Sequence, residues 1–256
     1  MFQFTSFISL LYLLLFSSMD WGQIGHRVVG EVAEQYLTVR AQKAIDDLLD
    51  GASLASVSTF ADEIKSDPKY RSLSSWHYVN LPLSMTYAAS KKNSKGDVVM
   101  AINICIDKIK DQRESKKEKS FYLKLLVHFI GDLHQPMHLG RKKDRGGNNI
   151  RLKWLGKSTN LHRLWDSNLI KSYGMRYVEL THDLDQLSSR ERNQIKKQPI
   201  AVWIAETQVL TKMIYENTPA NSKLEYPYQY RYMPVVKMQL QKGGLRLAAT
   251  LNTLFK

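Results

Sequence analysis

Residues Phe121–His138 read FYLKLLVHFIGDLHQPMH, and this stretch carries most of the fold and chemical signal of the chain. Phe121 to Ile130 is strongly apolar and leads into Pro136, a pattern that predicts a helix ending shortly before the proline. Inside that run His128 and Asp132 stand four residues apart, which stacks both side chains on one helix face. His138 lies six residues beyond Asp132. It follows Pro136, where the chain has left the helix and can fold back toward it.

Outward from this segment the pattern stays helical. Val29, Val32, Tyr36 and Leu37 recur at helical spacing, and Ile45, Leu48 and Leu49 continue the periodicity before Gly51. Val98, Ile102, Cys105, Ile106 and Ile109 form a second apolar stripe. Ile200, Trp203, Ile204, Thr207, Leu210 and Ile214 form a third, and Leu245–Leu254 predicts a terminal helix. Breaks are expected at Pro82–Gly96, Gly140–Gly147 and the tyrosine-rich Pro219–Pro234. Asn149–Trp154 alternates polar and apolar residues, one arm of a short hairpin turning at Gly156. No repeat or linker divides the chain. The expectation is a mainly α, single compact multi-helix domain with at most a short β-hairpin.

The 256 residues suffice for one domain with a sizeable core. Thirty-seven Lys and Arg against 24 Asp and Glu give a net charge of +13. That surplus favours polyanionic partners such as nucleic acid or anionic lipid. Residues 1–20 contain the uncharged run FISLLYLLLF (Phe7–Phe16), short for a membrane span and suited to a secretory signal, although no Lys or Arg precedes it. The expected division is therefore a signal peptide at 1–20 and a helical domain at 21–256. Cys105 is the only cysteine, so no intramolecular disulfide is possible. No allowed Asn-x-Ser/Thr sequon occurs either, and both absences suit a bacterial exported protein.

The histidines gather beside aspartates. His162 and Asp166 repeat the spacing of His128 and Asp132, and Asp62 and His77 make a further carboxylate–imidazole pair. His26 follows Trp21 by five residues. One such pair is usually a surface contact, but the accumulation suits zinc, which takes N and O ligands. A buried histidine cluster without metal would be costly to desolvate. His134 reads as a supporting hydrogen-bonding group, and His182 as a surface residue.

Taken in order, Trp-x4-His (Trp21, His26), Phe-Ala-Asp (to Asp62), Trp-His-Tyr-Val-Asn (Trp76–Asn80), the 128–138 motif and Leu-His-x-x-Trp-Asp (Leu161–Asp166) resemble the S1/P1 nuclease family. The resemblance implies the phospholipase C/P1 nuclease-like helical fold and three zinc ions. It places Asp62, His77 and His128 on a first zinc with Asp132 bridging, and His138, His162 and Asp166 on a second. His26, Asp132 and the amino nitrogen and carbonyl of Trp21 would hold the third. That last site requires Trp21 to be the mature N-terminus, yet Asp20 is a poor residue before a signal cut. Either a second trimming step occurs or the third site is built differently.

The resemblance also implies a zinc-dependent endonuclease that cleaves single-stranded DNA and RNA to 5′-phosphate products, with 3′-nucleotidase activity beside it. Asp62, Lys65 and Asp132 are the expected catalytic residues; Lys65 and Asn80 are the expected substrate contacts. Arg141, Lys142, Lys143 and Arg145 make a cationic loop after His138. The Tyr226–Tyr232 cluster reads as core packing ahead of base stacking. A secreted or periplasmic monomer is expected, with no stable protein partner. Two other readings compete. A zinc-dependent phospholipase C shares the implied fold but ends its ligand set on Glu where this chain has Asp166. A non-catalytic nucleic-acid-binding protein would use zinc only to hold its shape.

Overall fold

The computed structural model describes residues 22–256. Six longer helices carry the architecture: α1 (Gln23–Glu34), α2 (Val39–Leu49), α3 (Val98–Lys110), α4 (Lys116–Leu133), α5 (Ile200–Asn217) and α6 (Tyr226–Leu254). α4 is the centre. Leu123, Leu125, Leu126, Val127, Phe129, Ile130 and Leu133 are all inaccessible to solvent, as are His128 and Asp132, so its C-terminal half is buried on every side. A helix of that kind must be wrapped by others. α3 lies along it, and α1, α2 and α6 close the remaining faces.

Local chemistry fixes the starts of these helices. Thr38 accepts from Ala41 N, Asp97 from Val99 N and Met100 N, and Ser115 from Glu118 N, each satisfying first-turn donors that have no intrahelical acceptor. α6 packs closely on α1. A Cβ on Gly244 would fall 2.5 Å from Val32, so only glycine permits this approach.

α6 departs from the sequence expectation. It begins at Tyr226, not near Leu245, and runs through Pro234. Pro227 sits in the first turn, where a missing N–H costs nothing. Pro234 lies on an exposed face with Tyr230, so the carbonyl it strands can turn to water. The tyrosines divide along this helix: Tyr228 and Tyr232 are buried, while Tyr226 and Tyr230 are exposed.

The hairpin forms where alternation predicts it. β1 (Arg151–Trp154) pairs antiparallel with β2 (Lys157–Asn160). The turn residues Leu155 and Gly156 both have positive φ, the geometry that matches strand twist in a two-residue loop. A two-residue β3 (Lys223–Leu224) adds to β1 in parallel, making a three-stranded sheet where a bare hairpin was expected. Among the described residues, no helix is long and apolar enough to cross a membrane. The signal-peptide expectation for 1–20 lies outside the described residues.

Candidate metal centre

Asp132 is the hub. It occupies the last turn of α4, wholly buried, with imidazoles arriving from three other segments. His77 closes the 3-10 segment Pro68–His77 and brings Nδ1 to 2.9 Å from Asp132 Oδ2. His128, one helical turn before Asp132, brings Nε2 to 3.1 Å from the same oxygen. Asp62 Oδ1 lies 3.6 Å from His77 Nδ1 and 3.5 Å from His128 Nε2. On the other oxygen, Asp132 Oδ1, His26 Nε2 stands at 3.5 Å and His138 Nδ1 at 3.1 Å. His26 reaches this position because α4 carries Gly131, where a Cβ would fall 2.8 Å from the His26 ring.

The second group is built on irregular backbone. Leu161–Arg163 is one helical turn, and Leu164–Asn168 continues it as a π-helix, a form common at functional sites. His162 Nε2 lies 3.1 Å from Asp166 Oδ2, and His138 Nε2 lies 3.4 Å from Asp166 Oδ1. His138 therefore spans both groups, one ring nitrogen toward each aspartate.

The donor set fits a divalent ion. Four lone-pair atoms around a metal at the usual zinc distances are separated by about 3.4 Å. Asp62 Oδ1 and Asp132 Oδ2 each approach both His77 Nδ1 and His128 Nε2 at 2.9–3.6 Å. His128 donates its Nδ1 proton to Ser58 O at 2.7 Å, and His162 its Nδ1 proton to Gly146 O at 2.8 Å. Each hydrogen bond leaves Nε2 with its lone pair aimed into the cluster, as ligating imidazoles require.

Electrostatics points the same way. Burial raises the Asp62 carboxyl well above its ordinary range, and the Asp132 and Asp166 charges push it further. Burial holds His128 down to about 4 despite Asp132, and keeps His77 well below its usual value. His138 goes the other way: burial is outweighed by Asp132 and Asp166, and the ring rises to about 10. At Asp132 burial is outweighed by His128 and His138, and at Asp166 by His162 and His138, so both carboxyls stay below the carboxylate range. Three carboxyl groups thus crowd one largely buried site with opposed shifts, a charge arrangement that divalent cations would relieve.

Lys65, on the 3-10 turn Ile64–Ser66, places Nζ 2.8 Å from Asp62 Oδ1. Burial lowers it to about 8, although Asp132 and Asp166 oppose the shift. Lys65 and Asn80 line a cavity of about 360 Å³ together with His77, His138 and His162. Lys142 and Arg145 add positive charge to its rim. Of the expected ligands, only Trp21 lies outside the described residues.

Residues 21–256 match the family described as S1/P1 Nuclease. The chain belongs to the S1/P1 nuclease family. Relatives span nearly its whole length. Endonuclease 3 of Arabidopsis thaliana is 31% identical over 97% of this chain and 94% of its own. Nuclease P1 of Penicillium citrinum is 27% identical, covering 91% and 97%. Nuclease S1 of Aspergillus oryzae is 26% identical, covering 91% of each. As an S1/P1 nuclease the chain is a metal-dependent hydrolase of phosphodiester bonds, with histidine and aspartate groups placed to hold metal.

One neighbour of the expected ligands differs from expectation, and another carries no mark in the sequence. His134, read as a supporting group for the ligands, hydrogen-bonds none of them. Its Nε2 meets Arg246 Nη1 at 2.9 Å and its Nδ1 meets Ile130 O at 2.7 Å. Arginine cannot accept, so Nε2 is the acceptor and Nδ1 carries the proton. The support falls instead to Gln135. Its amide donates to Asp166 Oδ1 and its carbonyl accepts from Met137 N, joining one expected ligand to the residue before another. Nothing in the sequence singles out Gln135 until Asp166 is known to lie against it. His182 is exposed, as expected.

Proposed function

We propose that this S1/P1 nuclease hydrolyses single-stranded DNA and RNA to 5′-phosphate products, and acts on 3′-mononucleotides as well. Asp62, His77, His128 and Asp132 would hold one zinc ion. His138, His162 and Asp166 would hold a second, and His26, Asp132 and a mature N-terminal Trp21 a third. Export as a monomer after loss of residues 1–20, to the periplasm or beyond the cell, completes the reading. Bound zinc would supply Lewis acidity toward water and the phosphodiester.

The protein's own groups do the rest. Asp132 presents one oxygen to each side of the cluster, so it fixes the spacing of whatever binds there. Gln135 holds Asp166, and the Ser58 and Gly146 carbonyls hold the tautomers of His128 and His162. The Lys65 ammonium, beside Asp62 and facing the cavity, offers positive charge to a phosphoryl oxygen. The Asn80 side chain can donate to the substrate from the same wall.

The observation that carries this reading is the convergence of both aspartate–imidazole groups on one cationic cavity. A phospholipase C reading gains nothing from the family match, and a purely structural metal site would be closed to solvent. The test is hydrolysis of single-stranded DNA and RNA by protein beginning at Trp21. Cleavage leaving 5′-phosphate ends, lost with EDTA and restored by zinc, is expected. A zinc-loaded sample that cleaves choline phospholipid and leaves both nucleic acids intact would overturn the reading.

A further inference from the structure

Beside the metal cavity runs a second and larger depression of about 920 Å³. The two share Tyr78, Asn80 and Lys142, so they adjoin along these residues. Their common floor is stapled to the metal cluster. Val79 N donates to His138 O at 2.8 Å and Leu81 N to Gly140 O at 3.2 Å, so the groove is held in register with a ligand residue.

Lysines stand on both walls. Lys91 and Lys92 come from the loop that follows Leu81, and Arg141, Lys142 and Lys143 from the loop after Gly140. Neither loop is slack. Arg141 lies over the Tyr215 ring at 3.8 Å and donates to Asp144 at 2.7 Å, while Tyr215 OH and Gly147 N donate to the other Asp144 oxygen at 2.8 Å. Across the groove, Gln208 donates to Met85 O at 2.7 Å, and Lys92 donates to the carbonyls of Tyr87 and Ser90.

Arg141 and Lys92 are therefore engaged in holding the walls. Lys91, Lys142 and Lys143 are exposed and make no ion pair among the described residues. The acid in the lining, Asp97, is buried and turned inward onto Tyr87 OH, Val99 N and Met100 N. A rigid channel with unopposed ammonium groups on both sides suits a chain of phosphates. Rigid walls also spare the ligand the cost of ordering them.

The geometry points to this groove as the track for an extended single strand on one side of the bond being cut, with Lys91 and Lys143 as phosphate contacts beyond the cleavage site. The inference rests on the nuclease reading and adds a length requirement to it. Long strands gain affinity from the groove, and a dinucleotide at the cleavage site does not extend to Lys91 and Lys143.

The test compares zinc-loaded wild type and the Lys91→Glu/Lys143→Glu pair on a dinucleotide and on a single strand of about twelve nucleotides. Dinucleotide kcat/KM is expected to stay within about twofold, while KM for the longer strand rises about tenfold. The salt slope of log KM should flatten by about 1.4, which is about 0.7 for each phosphate that the variant no longer neutralises. Unchanged strand KM and salt slope would overturn the groove. So would an equal loss on both substrates with an unchanged melting temperature. The neutral Lys91→Gln/Lys143→Gln pair carries the same change in salt slope with a smaller rise in KM, so misfolding of the reversal variant does not shelter the idea. Failure of wild type to cleave either substrate would instead remove the nuclease reading beneath it.

Discussion

The C-terminal end of α4 serves two buried polar clusters that face opposite ways. Toward the cavity, His128, Asp132 and His138 meet His26, Asp62 and His77. Toward the core, His134 meets Arg246, which also binds Gln198 and Glu206, with Lys242 closing on Glu206. His128, His134 and His138 come from one short motif, and each is at most 2% exposed. What separates His134 from His128 is the use of the second ring nitrogen. His134 has both nitrogens occupied by protein partners, whereas His128 commits one and aims the other into a group of lone pairs. Burial and residue type do not distinguish a site from a strut; the balance of donors and acceptors does.

The sharpest break between the two clusters is expected from Asp132→Ala. Hydrolysis should fall by at least about 10³-fold, the scale on which one preorganised electrostatic element acts, and bound zinc should fall with it. Far-ultraviolet circular dichroism should be retained. Activity within tenfold of wild type would mean that the hub carries no metal role.

Arg246→Met should do the reverse. Arg246 is fully buried, so removing it strands the His134 acceptor and the Gln198 carbonyl, while the part-exposed Glu206 keeps Lys242. A loss of about 2 kcal/mol in urea unfolding is expected, with zinc content per folded molecule unchanged. A variant of wild-type stability that binds less zinc would erase the distinction between the clusters.

A further contrast concerns pH. Burial, reinforced by the Arg246 charge, lowers His134 to about 3. Unfolded histidine titrates near 6.5. Between these values the unfolded chain holds a proton that the native ring refuses, so stability falls as pH drops from about 6.5 toward 3. The limiting slope for one such proton is about 1.4 kcal/mol per pH unit. His134→Gln, which keeps an acceptor for Arg246, should flatten the metal-free stability curve in that window. Parallel curves for variant and wild type would show that the ring is charged in the native state.

The sequence was legible wherever chemistry is local. Periodicity gave the helical stripes, and alternation gave β1 and its turn at Gly156. The i, i+4 spacing placed His128 with Asp132 and His162 with Asp166, because helical rise alone brings such residues onto one face. The Tyr226–Pro234 stretch was misread because proline punctuates a pattern only when its neighbours cannot tolerate the lost hydrogen bond. Exposure of Tyr230 and Pro234 depends on how α6 packs, which no local window contains.

The identity of the donors, their order along the chain and the charge surplus were determined by sequence alone. Tertiary structure decided which donors meet. It put His138 between two aspartates, turned His134 away to Arg246, assigned Gln135 to Asp166 and opened a lysine-walled groove beside the cavity. The reason is physical: a ligand atom is defined by the direction of its lone pair, and direction is set by packing between segments as distant in sequence as those of His26 and Asp132.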